Sequence, residues 1–230
     1  LDEQAGAGRE NLDPGHVARY DAKEDAGAAG EVGLLVELGL APESVVVDMG
    51  AGTGQFVLAV APGCERVVAV DVSPVMLDVL RARVESAGLS NVDVVRAGFL
   101  SYEHRGAPVD FVYSRLALHH LPDFWKAVAL TRIRRMLRPG GVLRLWDVVY
   151  RFEPAEAADG IEAWCATGAA GADRDGAWTR AELEEHVRDE HSTFTWLLEP
   201  VIRRCGLAIE RADYSDDGIS AAYVLRAGGP

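Results

Sequence analysis

Cysteine is scarce in this chain of 230 residues, and Cys64, Cys165 and Cys205 are scattered, odd in number and without C-x-x-C spacing. That pattern argues against a disulfide framework or a zinc site, and it makes a reducing compartment the expectation. No apolar run approaches the ~20 residues that cross a bilayer, and the N-terminus is polar with no signal-peptide core. A cytoplasmic protein without a membrane partner is expected. Basic charge is also short: 23 Lys and Arg against 36 Asp and Glu leave a formal net charge of −13. Such a surface repels a polyanion, so a nucleic-acid partner is not expected. The one basic cluster, Arg132, Arg134, Arg135 and Arg138, alternates with Ile133, Met136 and Leu137 and reads as the solvated face of a helix. No H-E-x-x-H or similar ligand spacing occurs, so no metal is expected; His186, Glu190 and His191 sit among many charges and read as a solvated helix face.

What remains is an ordinary globular composition, 49% hydrophobic and 26% charged, long enough for one domain with an embellishment. Residues 1–15, whose first ten are rich in Gly, Ala and charge, are expected to be disordered. The most telling stretch runs from Val45 to Gln55, VVVDMGAGTGQ. Three β-branched residues suit a strand covered on both faces, and glycines at alternate positions let the backbone bend and approach a ligand. A dinucleotide site would require G-x-G-x-x-G with a pyrophosphate over a helix N-terminus. Here Gly50, Gly52 and Gly54 are followed by Gln55, and Asp48 stands before the turn, where its charge opposes a phosphate and favours a cation.

A second strand, Val67 to Asp71, places an acid 21 residues after Gly50, near the ~20 at which a ribose-binding carboxylate is expected. An ionised carboxylate only accepts hydrogen bonds, so Asp71 can take two ribose hydroxyls. Ser73-Pro74 then opens a helix as cap and first residue.

Apolar runs alternate with helical patterns along the chain, the signature of a doubly wound α/β fold with a mainly parallel sheet and helices on both faces. Strands are expected near 45–48, 67–71, 92–96, 109–114, 142–149, 207–214 and 221–227. Helices are expected near 24–39, 55–61, 74–87, 123–137, 155–166, 179–188 and 193–205. Arg138-Pro139-Gly140-Gly141 should stop the fourth of these helices and turn the chain into the next strand, and Thr179 to Glu182 is a capping box. Only Asp216-Asp217-Gly218 separates the last two strands, so they must form an antiparallel hairpin. Segment 150–195 exceeds what a crossover needs and is read as a lid or substrate-binding insertion; its aromatic residues, Phe152, Trp164, Trp178 and Phe194, either line an acceptor pocket or form a satellite core.

With its glycine loop, Asp48 and Asp71, the chain resembles the class I, seven-stranded S-adenosylmethionine-dependent methyltransferases of the small-molecule type. Asp110 to Asp123 looks like the family's fourth motif and Leu137 to Leu143 like the approach to its fifth strand. The resemblance implies a seven-stranded sheet whose last strand is antiparallel and inserted beside the fifth, and an enzyme binding S-adenosylmethionine, with S-adenosylhomocysteine as product. It implies that Gly50, Ala51 and Gly52 hold the methionine moiety through the backbone, that Asp48 organises the loop, and that Asp71 binds the ribose. Val72 and Met76 would pack on the adenine, Ser114 and Arg115 would lie near the methionine end, and Tyr20, of a Tyr-Asp pair, would cover the cofactor. The chain departs from the family after the third strand, where Gly98 replaces a frequent acid and Phe99 follows as the adenine contact.

Methyl transfer from a sulfonium to O, N or C of a small-molecule acceptor is an in-line displacement, which needs alignment above all. Ligands of open α/β sheets bind beyond the carboxyl ends of the strands, so His119, His120 and Asp147 are the candidates for acid–base work. Against this, a histidine at position 120 also serves to fix its loop, and Asp147 also suits an ion pair. Two other readings stay open: a cofactor-binding protein without methyl transfer, either a cyclase-like enzyme or a regulatory module, and a protein or RNA methyltransferase. The oligomeric state is left open, a homodimer included.

Overall fold

The computed structural model describes residues 1–8, 11–23, 27–168 and 178–229. The described chain runs through α1 (Pro14–Lys23), α2 (Ala28–Glu37), β1 (Val45–Met49), α3 (Gln55–Val60), β2 (Arg66–Asp71), α4 (Pro74–Ser86), β3 (Val92–Arg96) and β4 (Val109–Arg115). It continues through a 3₁₀ turn at Leu118–His120, α5 (Asp123–Met136), β5 (Leu137–Tyr150), α6 (Ala157–Thr167), α7 (Arg180–Asp189), β6 (Thr193–Phe194), α8 (Thr195–Arg204), β7 (Leu207–Tyr214) and β8 (Ser220–Ala227). The main sheet has the order β3-β2-β1-β4-β5-β8-β7, and β6 adds a short pairing to β5. The first five strands are mutually parallel, and β8 lies antiparallel between β5 and β7, as the short final turn requires.

Successive side chains of a strand point to opposite faces, and both faces here are covered. Val47, Met49, Val68 and Val70 pack with Leu130, Ile133, Leu198 and Ile202 of α5 and α8. Their neighbours Val46, Val67 and Ala69 pack with Leu35, Phe56, Leu77 and Leu80 of α2, α3 and α4. This two-sided burial explains why β1 and β2 read as unbroken apolar runs.

Four features depart from the sequence reading. A helix expected from residue 24 starts at Ala28, because Gly27 takes a left-handed φ of 54°; residues 24–26 lie outside the described residues. The separate helix α1 precedes it. Strand β5 begins at Leu137, ahead of the expected 142: Leu137 already pairs with Val109, and the irregularity that Pro139 and Gly140 suggested is absorbed as a register shift inside the ladder. Residues 193–194 pair with Val149–Tyr150 as β6 before α8 begins. Within segment 150–195, Tyr150, Phe152, Trp164 and Phe194 pack together with Ile219, with Tyr150 and Phe152 stacked at 5.3 Å. That is the satellite core of the two alternatives.

One buried ion pair fastens α2 to the sheet. Arg144 of β5 donates from Nε and Nη2 to the Glu31 carboxylate at 2.7 and 2.8 Å, both residues being under 10% exposed. Removing one partner of such a pair strands a charge in the core. Glu31→Ala should therefore cost about 3–5 kcal/mol in urea unfolding, while replacing both residues with apolar ones of similar volume should recover most of it. Equal losses in the single and double variants would show that the pair is not what holds α2.

Candidate functional site

The parallel strands end together at one edge, and their exit loops line an open cleft. Its floor is the glycine loop after β1. Gly50 has φ +82°, and a Cβ there would collide with the Cβ of Ala117, so the loops after β1 and β4 touch only because position 50 has no side chain. Leu116, beside that contact, holds φ +49°, a strained conformation for a branched residue of the kind that gathers at functional sites.

Asp71, at the tip of β2, shapes the loop from the other side. One carboxylate oxygen accepts from Gly52 N–H at 2.9 Å and the other from Ser73 N–H at 2.8 Å, which leaves each with further acceptor capacity toward the cleft. Burial raises its pKa despite the amides of Ser73, Gly52 and Val72. Asp48 is 2% exposed beneath the loop; burial, and then the charge of Asp71, push its pKa well above the usual carboxylate range.

The N-terminal segment closes the cleft. Glu3, Ala7 and Asn11 line it, and the Glu3 carboxylate accepts from Leu100 N–H at 3.0 and 3.1 Å and from Ser101 Oγ at 3.1 Å. It lies in the space that a side chain at Gly98 would need. Ser73 Oγ donates to Asn11 O at 2.5 Å. Asp21 accepts from Thr53 Oγ1 at 2.6 Å and Gln55 Nε2 at 3.0 Å and pairs with Arg83 at 2.5 Å, tying α1 to the glycine loop and α4.

Beyond β4 and β5 the two histidines have opposite environments. His119 is buried, with Nδ1 against Asp147 and Nε2 2.9 Å from Glu190 Oε2. The Asp147 carboxylate also accepts from His119 N–H at 2.9 Å and Val148 N–H at 2.8 Å. Burial disfavours a charge on His119, yet Asp147 and Glu190 outweigh it and push its pKa up to about 10. His120 lines the cleft; burial and then the neighbouring His119 push it down to about 3.

Of the residues singled out from the sequence, Gly50, Gly52, Asp71, Val72, Met76, Gly98, Phe99, Arg115 and His120 line the cleft. Asp48 lies under it, and Ala51 packs into the core on the α2 and α3 side. Ser114 is fully buried, its hydroxyl without a hydrogen-bond partner. His119 and Asp147 form a buried layer behind His120, and the side chain of Tyr20 lies outside the described residues. The sequence reading missed Glu3 and Asn11, which line the cleft from a stretch without periodic signal; Asp21, read only as the acid of the Tyr-Asp pair, holds the glycine loop and α4. The sequence reading also took Glu190 as solvated, whereas its side chain is 13% exposed.

Residues 46–141 match the family model described as a methyltransferase domain. Over those residues the chain is similar to methyltransferase domains, and its fold is the doubly wound, Rossmann-like one. It is 31% identical over 152 residues to a trans-aconitate 2-methyltransferase of Methylobacterium radiotolerans, covering 62% of this chain and 55% of that protein. It is 32% identical over 134 residues to a carboxy-S-adenosyl-L-methionine synthase of Ectopseudomonas mendocina, covering 54% and 53%. The chain thus spans about half the length of these curated relatives. Among solved structures, an S-adenosylmethionine-dependent methyltransferase from Clostridium acetobutylicum superposes with TM-score 0.69 at 15% identity, over 91% of this chain and 96% of that one, a likeness of fold.

Gly50→Ala should lower stability by at least about 2 kcal/mol in urea unfolding, since left-handed strain adds to overpacking. Gly52→Ala has open space around its new Cβ and should cost only about 1–2 kcal/mol for the left-handed φ. Equal costs would contradict the close approach at Ala117.

Proposed function

We propose that the domain binds S-adenosylmethionine in this cleft and transfers its methyl group to a small-molecule acceptor. The observation that carries the reading is the pair of acids at the tips of β1 and β2: a buried Asp48 with a raised pKa under the glycine loop and an Asp71 with spare acceptor capacity facing the cleft. This site suits a ligand with a cationic amino-acid end and vicinal hydroxyls. Gly50 and Gly52 would approach the methionine moiety, Asp71 the ribose hydroxyls, and Val72, Met76 and Phe99 the base. Glu3 stands where the sequence has no acid beside Gly98. When bound, the cofactor supplies an electrophilic methyl carbon. The chain's task is then to align the acceptor and exclude water, which can account for about 7–11 kcal/mol of the barrier. His120, neutral and facing the cleft, is placed to accept a hydrogen bond from an acceptor hydroxyl or amine and so to orient it; His119, held between two carboxylates, acts by fixing the turn. The acidic net charge of −13 favours a small acceptor over a nucleic acid. Location in the cytoplasm belongs to the same proposal.

A second reading has a specific support: the similarity to a carboxy-S-adenosyl-L-methionine synthase. On that reading the same cleft serves a reaction other than methyl transfer. Methyl release from labelled cofactor, assayed against a panel of small hydroxyl, amine and carboxylate acceptors, separates the two, because bound cofactor that never yields S-adenosylhomocysteine would favour the second.

Calorimetric titration with S-adenosylhomocysteine tests the binding itself, and no heat at millimolar ligand would refute it. Asp71→Ala should weaken that binding by about 1.5–3 kcal/mol, the scale of hydrogen bonds to a charged group. The pH dependence follows from Asp48. Its pKa is raised in the free protein, and a ligand ammonium beside it favours the ionised form, so binding releases a proton between the two pKa values. Affinity should rise with pH from the ordinary carboxylate range up to the raised pKa of Asp48, then level off. The slope should become shallower in Asp48→Asn, leaving the part owed to Asp71, whose pKa burial also raises; an unchanged slope would locate the linked proton elsewhere.

A further inference from the structure

The loop after β4 and the end of α7 meet in a cluster of His119, His120 and Glu190, in which the methyl-transfer reading gives Glu190 no role. We propose that His119, His120 and Glu190 bind one divalent metal ion of the zinc class. One ligand atom from each lies within 4.8 Å of the others. Tetrahedral coordination at ~2.0–2.2 Å places ligands roughly 3.3–3.6 Å apart. His119 Nε2 and Glu190 Oε2, at 2.9 Å, already stand close to that separation, and a ring nitrogen of His120 lies within 4.8 Å of both.

One feature marks the cluster as more than a salt bridge. Glu190 Oε2 stands 2.9 Å from His119 Nε2 and 2.5 Å from His186 Nδ1, so two imidazoles already converge on it. His120 Nδ1 is buried without a hydrogen-bond partner; buried polar atoms are nearly always satisfied, and an ion at the centre would take a ring nitrogen from each of His119 and His120 together with the Glu190 oxygen. The surroundings are those of a metal-binding imidazole. Asp147 holds His119 Nδ1, which fixes the tautomer that leaves the Nε2 lone pair for an ion, and it is itself fastened by two backbone amides.

The third ligand arrives by design of the fold. His191 N–H donates to His119 O at 3.0 Å, Lys126 Nζ donates to His191 O, and β6 pairs with β5. Together these hold the end of α7 against the turn. Two imidazoles and one carboxylate select borderline first-row ions over magnesium or calcium. A three-residue set leaves a coordination position, and His120 borders the cleft, so an oxygen-bearing acceptor could complete the sphere. Only this last role rests on the methyl-transfer reading; the site itself does not.

The test is cobalt titration of chelator-treated full chain, followed by visible d–d absorption, with zinc competition and thermal unfolding alongside. One ion per chain, displaced by zinc and raising the unfolding temperature, is the expected result. Glu190→Gln and His120→Asn should each weaken cobalt binding at least tenfold, and Asp147→Asn by about 10–100-fold. His104→Gln, remote from the cluster, should leave it unchanged. If Glu190→Gln fails to fold, His120→Asn decides. No absorption band at millimolar cobalt, or full binding in the folded variants, would overturn the proposal. S-Adenosylhomocysteine binding in the same metal-free protein reports separately on the cofactor reading.

Discussion

Two carboxylates at the adjoining ends of parallel strands set the geometry of the whole cleft. Strands β1 and β2 are neighbours in register, Asp48 opposite Ala69 and Met49 opposite Val70, so the two acids are brought close wherever the chain turns out of the sheet. Each copes differently with burial. Asp71 shares its charge between the amides of Gly52 and Ser73, which forces the glycine loop to curl over β2 and opens α4 at the same point. Asp48 is buried without comparable relief, and its ionised form is disfavoured. A cation above the loop reverses that penalty, so the energy stored in one buried acid becomes selectivity for charge of the opposite sign.

Distant parts of the chain then lock this edge in place. Asp21 reaches the end of the glycine loop and Arg83 of α4, Glu3 caps the exit of β3, and Ala117 fits against Gly50. The site is therefore a product of long-range contacts resting on a sheet whose two faces are already full. Loops supply the groups and the sheet supplies their positions, the usual division in this architecture.

How much of this could be read from residues alone depends on range. Val45 to Gly54 carried its own signal: a run buried on both faces, a turn that only glycine allows, and an acid at each strand tip. The hairpin followed because three residues cannot hold a crossover helix. Helix α4 followed from Ser73-Pro74, and the capping box at Thr179 was met in full, with Thr179 and Glu182 bonded reciprocally. What stayed hidden has no local signature. Glu3 looks like any charge in a polar stretch until Gly98 makes room for it. Glu190 follows a helix dense in charge, and its burial depends on Lys126, 64 positions earlier, holding the carbonyl of His191. Leu137 joined β5 because Val109 was there to pair with it, a partner that the Arg138-Pro139-Gly140-Gly141 signal cannot reveal.

Adjacent histidines with opposite protonation show the same principle at the scale of one turn. His119 and His120 have ring centroids 4.3 Å apart, so they cannot both be charged cheaply. The carboxylates of Asp147 and Glu190 both fall on the His119 ring, and His120 is left neutral. Charge counting then bears on what the cluster is for. Two carboxylates around one imidazolium leave one negative charge over, whereas a divalent ion bound to neutral imidazoles balances both acids. A proton and a metal ion compete for the same Nε2 lone pair. The arrangement of Asp147 behind His119, with Glu190 in front, satisfies either, but the ion also gives a ring nitrogen of His120 a partner.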